Sequence, residues 1–279
     1  MNGMRILICT DGSKAAERAA REVSLLRFPE ETRIVLYYVK EVHGGYKVPE
    51  EIFSPIEAVL APSFPTVERK VASGNAAAQI LTETRDHSYD LVVIGDTGIS
   101  RGLLHRRMGS TASKIMRLID IPLLLVRRNP DQLKKVLVCT SGEAPAAETL
   151  QKGGFLVSYT QAQVGVLHVM AQLALAATSQ ADDLLDTAQT AMQRKTREGL
   201  HLIRAVDQIQ KAGVSGPVIP ILRHGLVLDQ VTAELREGQY DLLVIGSHHV
   251  AGRSRKLEAF LEDVASDLIS DAPCSVLIV

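Results

Sequence analysis

Short apolar runs alternate along the chain with longer amphipathic stretches. In the first half the runs are residues 4–10, 33–39, 67–72, 90–95 and 122–127, mostly apolar on both sides, as strands buried in a parallel sheet read. Between them, residues 13–28 space Ala, Val and Leu at three and four, the period of a helix, with Ser13 as the expected N-cap. Residues 75–87 and 110–120 repeat that period. Strand, helix, strand in this order predicts a parallel sheet with helices on both faces.

The pattern occurs twice. "ILICTDG" at 6–12 returns as "VLVCTSG" at 136–142, 130 residues on, and the same shift carries "IVLYYV" (34–39) onto "VGVLHV" (164–169). "GNAAAQILTETRDHSYDLVVIG" (74–95) returns as "GLVLDQVTAELREGQYDLLVIG" (225–246), 151 residues on. The chain is a tandem of one unit, and the 21-residue difference in shift is an insertion between the second and third strands of the second copy. The charged, proline-containing segment 127–135 reads as the linker, giving expected domains of 1–128 and 134–279. Four prolines and a Gly-Gly pair in 43–66 limit that segment to a turn or two of helix near 54–60, so a loop is expected over the first copy's mouth. The second copy instead offers one long amphipathic helix over 182–213.

Composition narrows the classes. With 279 residues there is room for two domains, each with its own core. Basic and acidic residues nearly cancel, 31 against 32, so neither nucleic acid nor an anionic membrane is an expected partner. The apolar run at the start is too short for a signal peptide, and no stretch of eighteen apolar residues occurs. A cytoplasmic protein is expected. Cys9, Cys139 and Cys274 form no metal-ligand spacing and read as buried, reduced thiols.

The candidate chemistry lies in "GDTGISRGLLHRRMGS" (95–110). Glycines at 95 and 98 let the backbone turn sharply and approach an anion. Gly109, Ser110 and Thr111 open the last helix, where unpaired amides and the helix dipole favour phosphate. Arg101, His105, Arg106 and Arg107 supply positive charge between them. In an open parallel sheet, ligands bind beyond the strand carboxyl ends where the order reverses, which brings Thr10 and Asp11 to the same place. A glycine turn and an ordinary helix cap are the plain alternative. The second copy argues against it: Asp11 becomes Ser141, Gly98 becomes His249, and Gly109-Ser110 becomes Glu262-Asp263. Two carboxylates there still cap a helix but repel a polyphosphate, so the fold does not demand the first copy's residues.

These motifs resemble the universal stress protein family in its tandem form: "ILICTDGS", "YYV", "YDLVVIGDTG", "GSTASKI" and "IPLLLV". The resemblance implies two tandem doubly wound, Rossmann-like α/β domains, each a five-stranded parallel sheet of order 3-2-1-4-5. It also implies ATP, with or without Mg2+, in the first domain. Asp11 would lie at the ribose and adenine end with Thr10, and Val39 near the base. Gly95, Thr97, Gly98, Arg101, Gly109, Ser110 and Thr111 would surround the ribose and phosphates. Ten residues separate Gly98 from Gly109 where the family pattern has nine, and Thr97 stands where a His is usual. The implied function is a nucleotide-responsive regulatory protein of the stress response, a homodimer of tandem chains read by a protein partner of unknown identity.

No catalytic residue and no metal ligand is expected. The competing classes are a slow ATPase or phosphotransferase, a phosphoacceptor receiver, and a structural tandem that binds no nucleotide. Phosphoryl transfer needs a positioned base and normally a metal, and Asp11 is the single obvious acid. A receiver needs clustered acids, for which Asp11 and Asp96 are too few. His248 and His249 are neighbours without further ligands and read as a surface pair.

Overall fold

The computed structural model describes residues 3–41, 48–96, 109–128, 131–141, 146–170, 187–246 and 267–279. The chain divides into two compact units, Met1–Gln132 and Leu133–Val279.

In the first unit, strands β1 (Arg5–Thr10), β2 (Arg33–Lys40), β3 (Val67–Ser73), β4 (Leu91–Gly95) and β5 (Leu123–Val126) alternate with helices α1 (Lys14–Ser24), α2 (Pro49–Leu60), α3 (Ala76–Asp86) and α4 (Ser110–Leu118). Every pairing is parallel and the order is β3-β2-β1-β4-β5. Helix α1 packs on α2, and α3 on α4, the two helix layers of a doubly wound sheet. The core follows from the central strands. Ile6, Leu7 and Ile8 of β1 and Val92 and Val93 of β4 are fully buried, each contributing about 1.5–3 kcal/mol of transfer free energy.

Strand β3 departs from the buried pattern expected of it. It is an edge strand, and Glu68 and Arg69 are exposed on it, which protects an otherwise open row of backbone groups. The larger departure is α2, three turns where the prolines suggested one or two. Pro49 sits at its first turn, where a missing N–H costs nothing. Ile52, Phe53, Ile56 and Leu60 bury one face of it, and that packing outweighs the interior Pro55. A helix therefore borders this unit between β2 and β3.

The second unit repeats the plan with β6 (Lys135–Thr140), α5 (Ala146–Val157), β7 (Gln163–Met170), α6 (Ala188–Arg194), α7 (Arg197–Lys211), β8 (Val218–His224), α8 (Val227–Gly238), β9 (Leu242–Ile245) and β10 (Ser275–Ile278). Its order is β8-β7-β6-β9-β10, again parallel throughout. The inserted segment lies between β7 and β8, residues 171–217, against 41–66 in the first unit.

The single long helix expected there is two. Lys195 adopts a left-handed conformation, φ 55°, that ends α6, and the Thr196 hydroxyl then caps α7 by accepting from Gly199 N–H at 3.2 Å. A Cβ on Gly199 would stand 2.0 Å from the Ala191 carbonyl oxygen, so the two helices meet at a bare backbone. The apolar period continues through 188–211 and hides this corner from a periodicity reading. Residues 182–186 of the expected helix lie outside the described residues.

Candidate functional site

Strand β1 ends in three residues that turn the chain into α1. The Thr10 hydroxyl accepts from Gly12 N–H at 3.1 Å, and Asp11 Oδ1 accepts from Ser13 N–H at 3.0 Å. Gly12 takes φ 70°, a left-handed conformation that glycine adopts without strain. Ser13 then caps α1 as expected, its Oγ accepting from Ala16 N–H at 3.3 Å. Asp11 is half-buried at this corner.

The β1–β4 register pairs Ile8 with Val93, which brings Thr10 and Gly95 to one level at the carboxyl edge of the sheet. Tyr38 pairs with Thr10 on the other side, so Val39 lies one residue beyond that level on β2. Gly95 is needed for packing: a Cβ there would stand 2.7 Å from the Ala15 Cβ and 2.9 Å from its carbonyl carbon. This explains why the second copy keeps a glycine, Gly246, where an added Cβ would press on Thr149 at 2.3 Å.

Helix α4 is brought to the same edge by one backbone bond. Gly109 N–H donates to the Asp96 carbonyl at 2.9 Å. The first bond inside the helix runs from Ser113 N–H to the Gly109 carbonyl, 2.9 Å. The amides of Ser110, Thr111 and Ala112 therefore precede the helix's own ladder and point out of its positive end. Its N-cap residue, Gly109, offers no side-chain bond to this terminus. Ser110 is exposed and Thr111 half-buried.

Three charges brace this corner: Asp96, weighed in the sequence only as a receiver acid, and Arg18 and Arg127, which the sequence did not single out. Asp96 Oδ1 lies 3.5 Å from an Arg18 guanidinium nitrogen, and Oδ2 lies 3.8 Å from Arg127 Nε. Arg18 comes from α1 and Arg127 follows β5, so the carboxylate ties the end of β4 to both neighbours. Sequence spacing gives no sign of a contact spanning residues 18, 96 and 127. Thr10, Asp11, Gly95, Gly109, Ser110 and Thr111 thus meet at one edge of the sheet, with Val39 on the adjoining strand. Thr97, Gly98 and Arg101, together with His105, Arg106 and Arg107, lie outside the described residues.

The second unit builds its corresponding corner differently. The Thr140 hydroxyl shares a 2.9 Å hydrogen bond with His201 Nε2 of α7, where Thr10 instead serves its own turn. His168, at the position of Tyr38, donates from Nδ1 to the Thr140 carbonyl at 3.1 Å. An imidazole thus stands at the mouth of β6. His249, Glu262 and Asp263 lie outside the described residues, as does His248.

Burial raises the Cys139 thiol to about 12 and Cys9 higher still, so neither is a thiolate at neutral pH. Among the described residues no group of three His, Cys, Asp or Glu is placed to hold a metal, and no helix is long and apolar enough to cross a membrane.

Two tandem units, each with five parallel strands in one and the same order, define a duplicated doubly wound α/β protein. The universal stress protein family matches residues 4–127 and again 132–279, and the chain belongs to that family. Among solved structures, a universal stress protein from Archaeoglobus fulgidus is similar over 99% of this chain and 96% of its own, at 16% identity and a TM-score of 0.64. A functionally unknown protein from Pseudomonas aeruginosa is similar over 99% and 92%, at 13% identity and a TM-score of 0.67. At such identities the likeness is one of fold. No curated protein matches the chain.

Proposed function

We propose that the first unit binds an adenine nucleotide, ATP with or without Mg2+, and that the protein is a nucleotide-responsive regulator of the stress response. The observation that carries this reading is the run of amides at Ser110–Ala112, preceded by an N-cap glycine that makes no side-chain bond to them and held beside β4 by the Gly109–Asp96 bond. Such a terminus takes phosphate through N–H donors and the helix dipole together. In this reading Ser110 and Thr111 add hydroxyl donors, Gly95, Thr97, Gly98 and Arg101 line the phosphate and ribose path, Thr10 and Asp11 serve the ribose end, and Val39 packs near the base.

Residues 1–128 are then the nucleotide-binding domain and 134–279 its degenerate mate, whose corner is taken by His201 and whose Ser141 replaces Asp11. The proposal includes a cytoplasmic homodimer of tandem chains and a protein partner that senses the nucleotide. Sedimentation velocity checks the dimer, with a single species at the mass of one 30.3 kDa chain counting against it.

Mass spectrometry of small molecules released on denaturing the purified protein tests the ligand. The expected result is an adenine nucleotide, at up to one per chain. Release of none, with no heat on titration with ATP and Mg2+, would reduce the protein to a structural tandem.

A further inference from the structure

The second unit holds a cluster that the nucleotide reading does not use. His168 is 8% exposed, and its ring centre lies 4.9 Å from that of His201. Both rings are tied to one residue, His168 through the Thr140 carbonyl at 3.1 Å and His201 through the Thr140 hydroxyl at 2.9 Å. His168 belongs to β7, Thr140 ends β6, and His201 lies on α7, so the cluster joins the helix to the carboxyl edge of the sheet. His224, the last residue of β8, adds a third imidazole to the surroundings.

We propose that Thr140, His168 and His201 form an acid-released latch, which holds α7 on the carboxyl edge of the second sheet while the imidazoles are neutral and frees it when they take up protons.

Neutral rings satisfy the geometry. The His168 Nδ1–H donates to the carbonyl, and His201 Nε2 accepts the Thr140 hydroxyl proton or donates to its oxygen. Protonating both places two cations with ring centres 4.9 Å apart, one on a buried ring and one on a half-buried ring. Among the described residues, the charged and titratable groups facing the pair are Arg197, Glu198 and Arg204 of α7 and His224 of β8. Within that set one carboxylate opposes two guanidinium groups, so these neighbours do not compensate the new charge.

Burial is the leading cause that holds His168 below the usual imidazole range, opposed in part by the Thr140 carbonyl and Glu198. Burial, then His168 and Arg204, hold His201 down to about 4. With folded values below the unfolded one, the unfolded or released state binds more protons. Stability of the docked state is therefore full above about pH 6.5 and is lost as pH falls from there toward the folded values.

Hydrogen exchange, expressed as protection factors at pH 7.5 and pH 5, tests the latch on the full chain. The result expected is a fall of about tenfold or more in α7 protection at pH 5 relative to α1 of the first unit, which serves as the internal control. His201→Gln, whose amide can still bond Thr140, should abolish most of that difference. Should this variant fold poorly, imidazole proton resonances of the unaltered protein give the second readout: His168 and His201 should titrate below the ordinary imidazole value of about 6.5. Equal loss of protection in α7 and α1, a pH response unchanged in His201→Gln, or titration of both rings at about 6.5 or above would overturn the proposal.

Discussion

Gly95 and Gly109 are both glycines of the candidate site, yet they face different constraints. A methyl group at Gly95 meets the Ala15 Cβ at 2.7 Å and backbone at 2.9 Å, so strand and helix must part to admit it. Gly95→Ala should lower the free energy of unfolding by about 1–3 kcal/mol, read as a lower urea midpoint. Gly109 has φ −61°, and among the described residues its added Cβ would meet nothing closer than the Asp96 carbonyl at 3.5 Å. Gly109→Glu, the second copy's residue, should change unfolding by no more than about 0.5 kcal/mol while placing a carboxylate before the α4 amides. The duplicate showed that the fold does not demand Gly109, which it replaces by Glu262; the packing role of Gly95, read in the sequence as an anion turn, emerges only from its contact with Ala15. Asp96 was not legible as a brace, because its partners Arg18 and Arg127 come from other elements.

Periodicity located the strands to within a residue or two, because β1, β4 and β5 are apolar on both faces and bounded by turn residues. It misjudged the two segments between second and third strands, in opposite directions and for one reason. Proline content suggested too little helix for α2, whose buried face of Ile52, Phe53, Ile56 and Leu60 decides the matter. Continuous amphipathicity suggested too much for 182–213, where α6 and α7 meet at Gly199, α6 burying Ala191 and α7 burying Leu202, Ala205 and Ile209. Tertiary packing overrode local signals in both. The corner at Lys195 carries a measurable strain. With φ 55° at a non-glycine residue, Lys195→Gly should raise stability by up to about 1 kcal/mol, seen as a higher urea midpoint with an unchanged slope.

At the scale of the molecule, one fold occurs twice with differently built corners. The duplication was readable from its shifts of 130 and 151 residues, since homologous strands keep their apolar runs. The histidine cluster was not, because residues 140, 168 and 201 approach each other only once β6, β7 and α7 are assembled. Its one sequence trace is His168 standing where the first copy has Tyr38. The units should therefore respond to different signals. Acid should loosen the second while the first keeps its stability, and ATP at 100-fold its dissociation constant should stabilise the first by about 2.7 kcal/mol. Calorimetric scans at pH 7.5 and 5, with and without nucleotide, would show one transition moving with pH and the other with ATP.

Titration calorimetry of the purified, nucleotide-stripped chain with ATP and Mg2+ tests the central claim most directly. One site per chain is expected in the unaltered protein and none in a folded Gly109→Glu variant. Two sites per chain, no site, or full binding by Gly109→Glu would contradict a single nucleotide cradle at the start of α4.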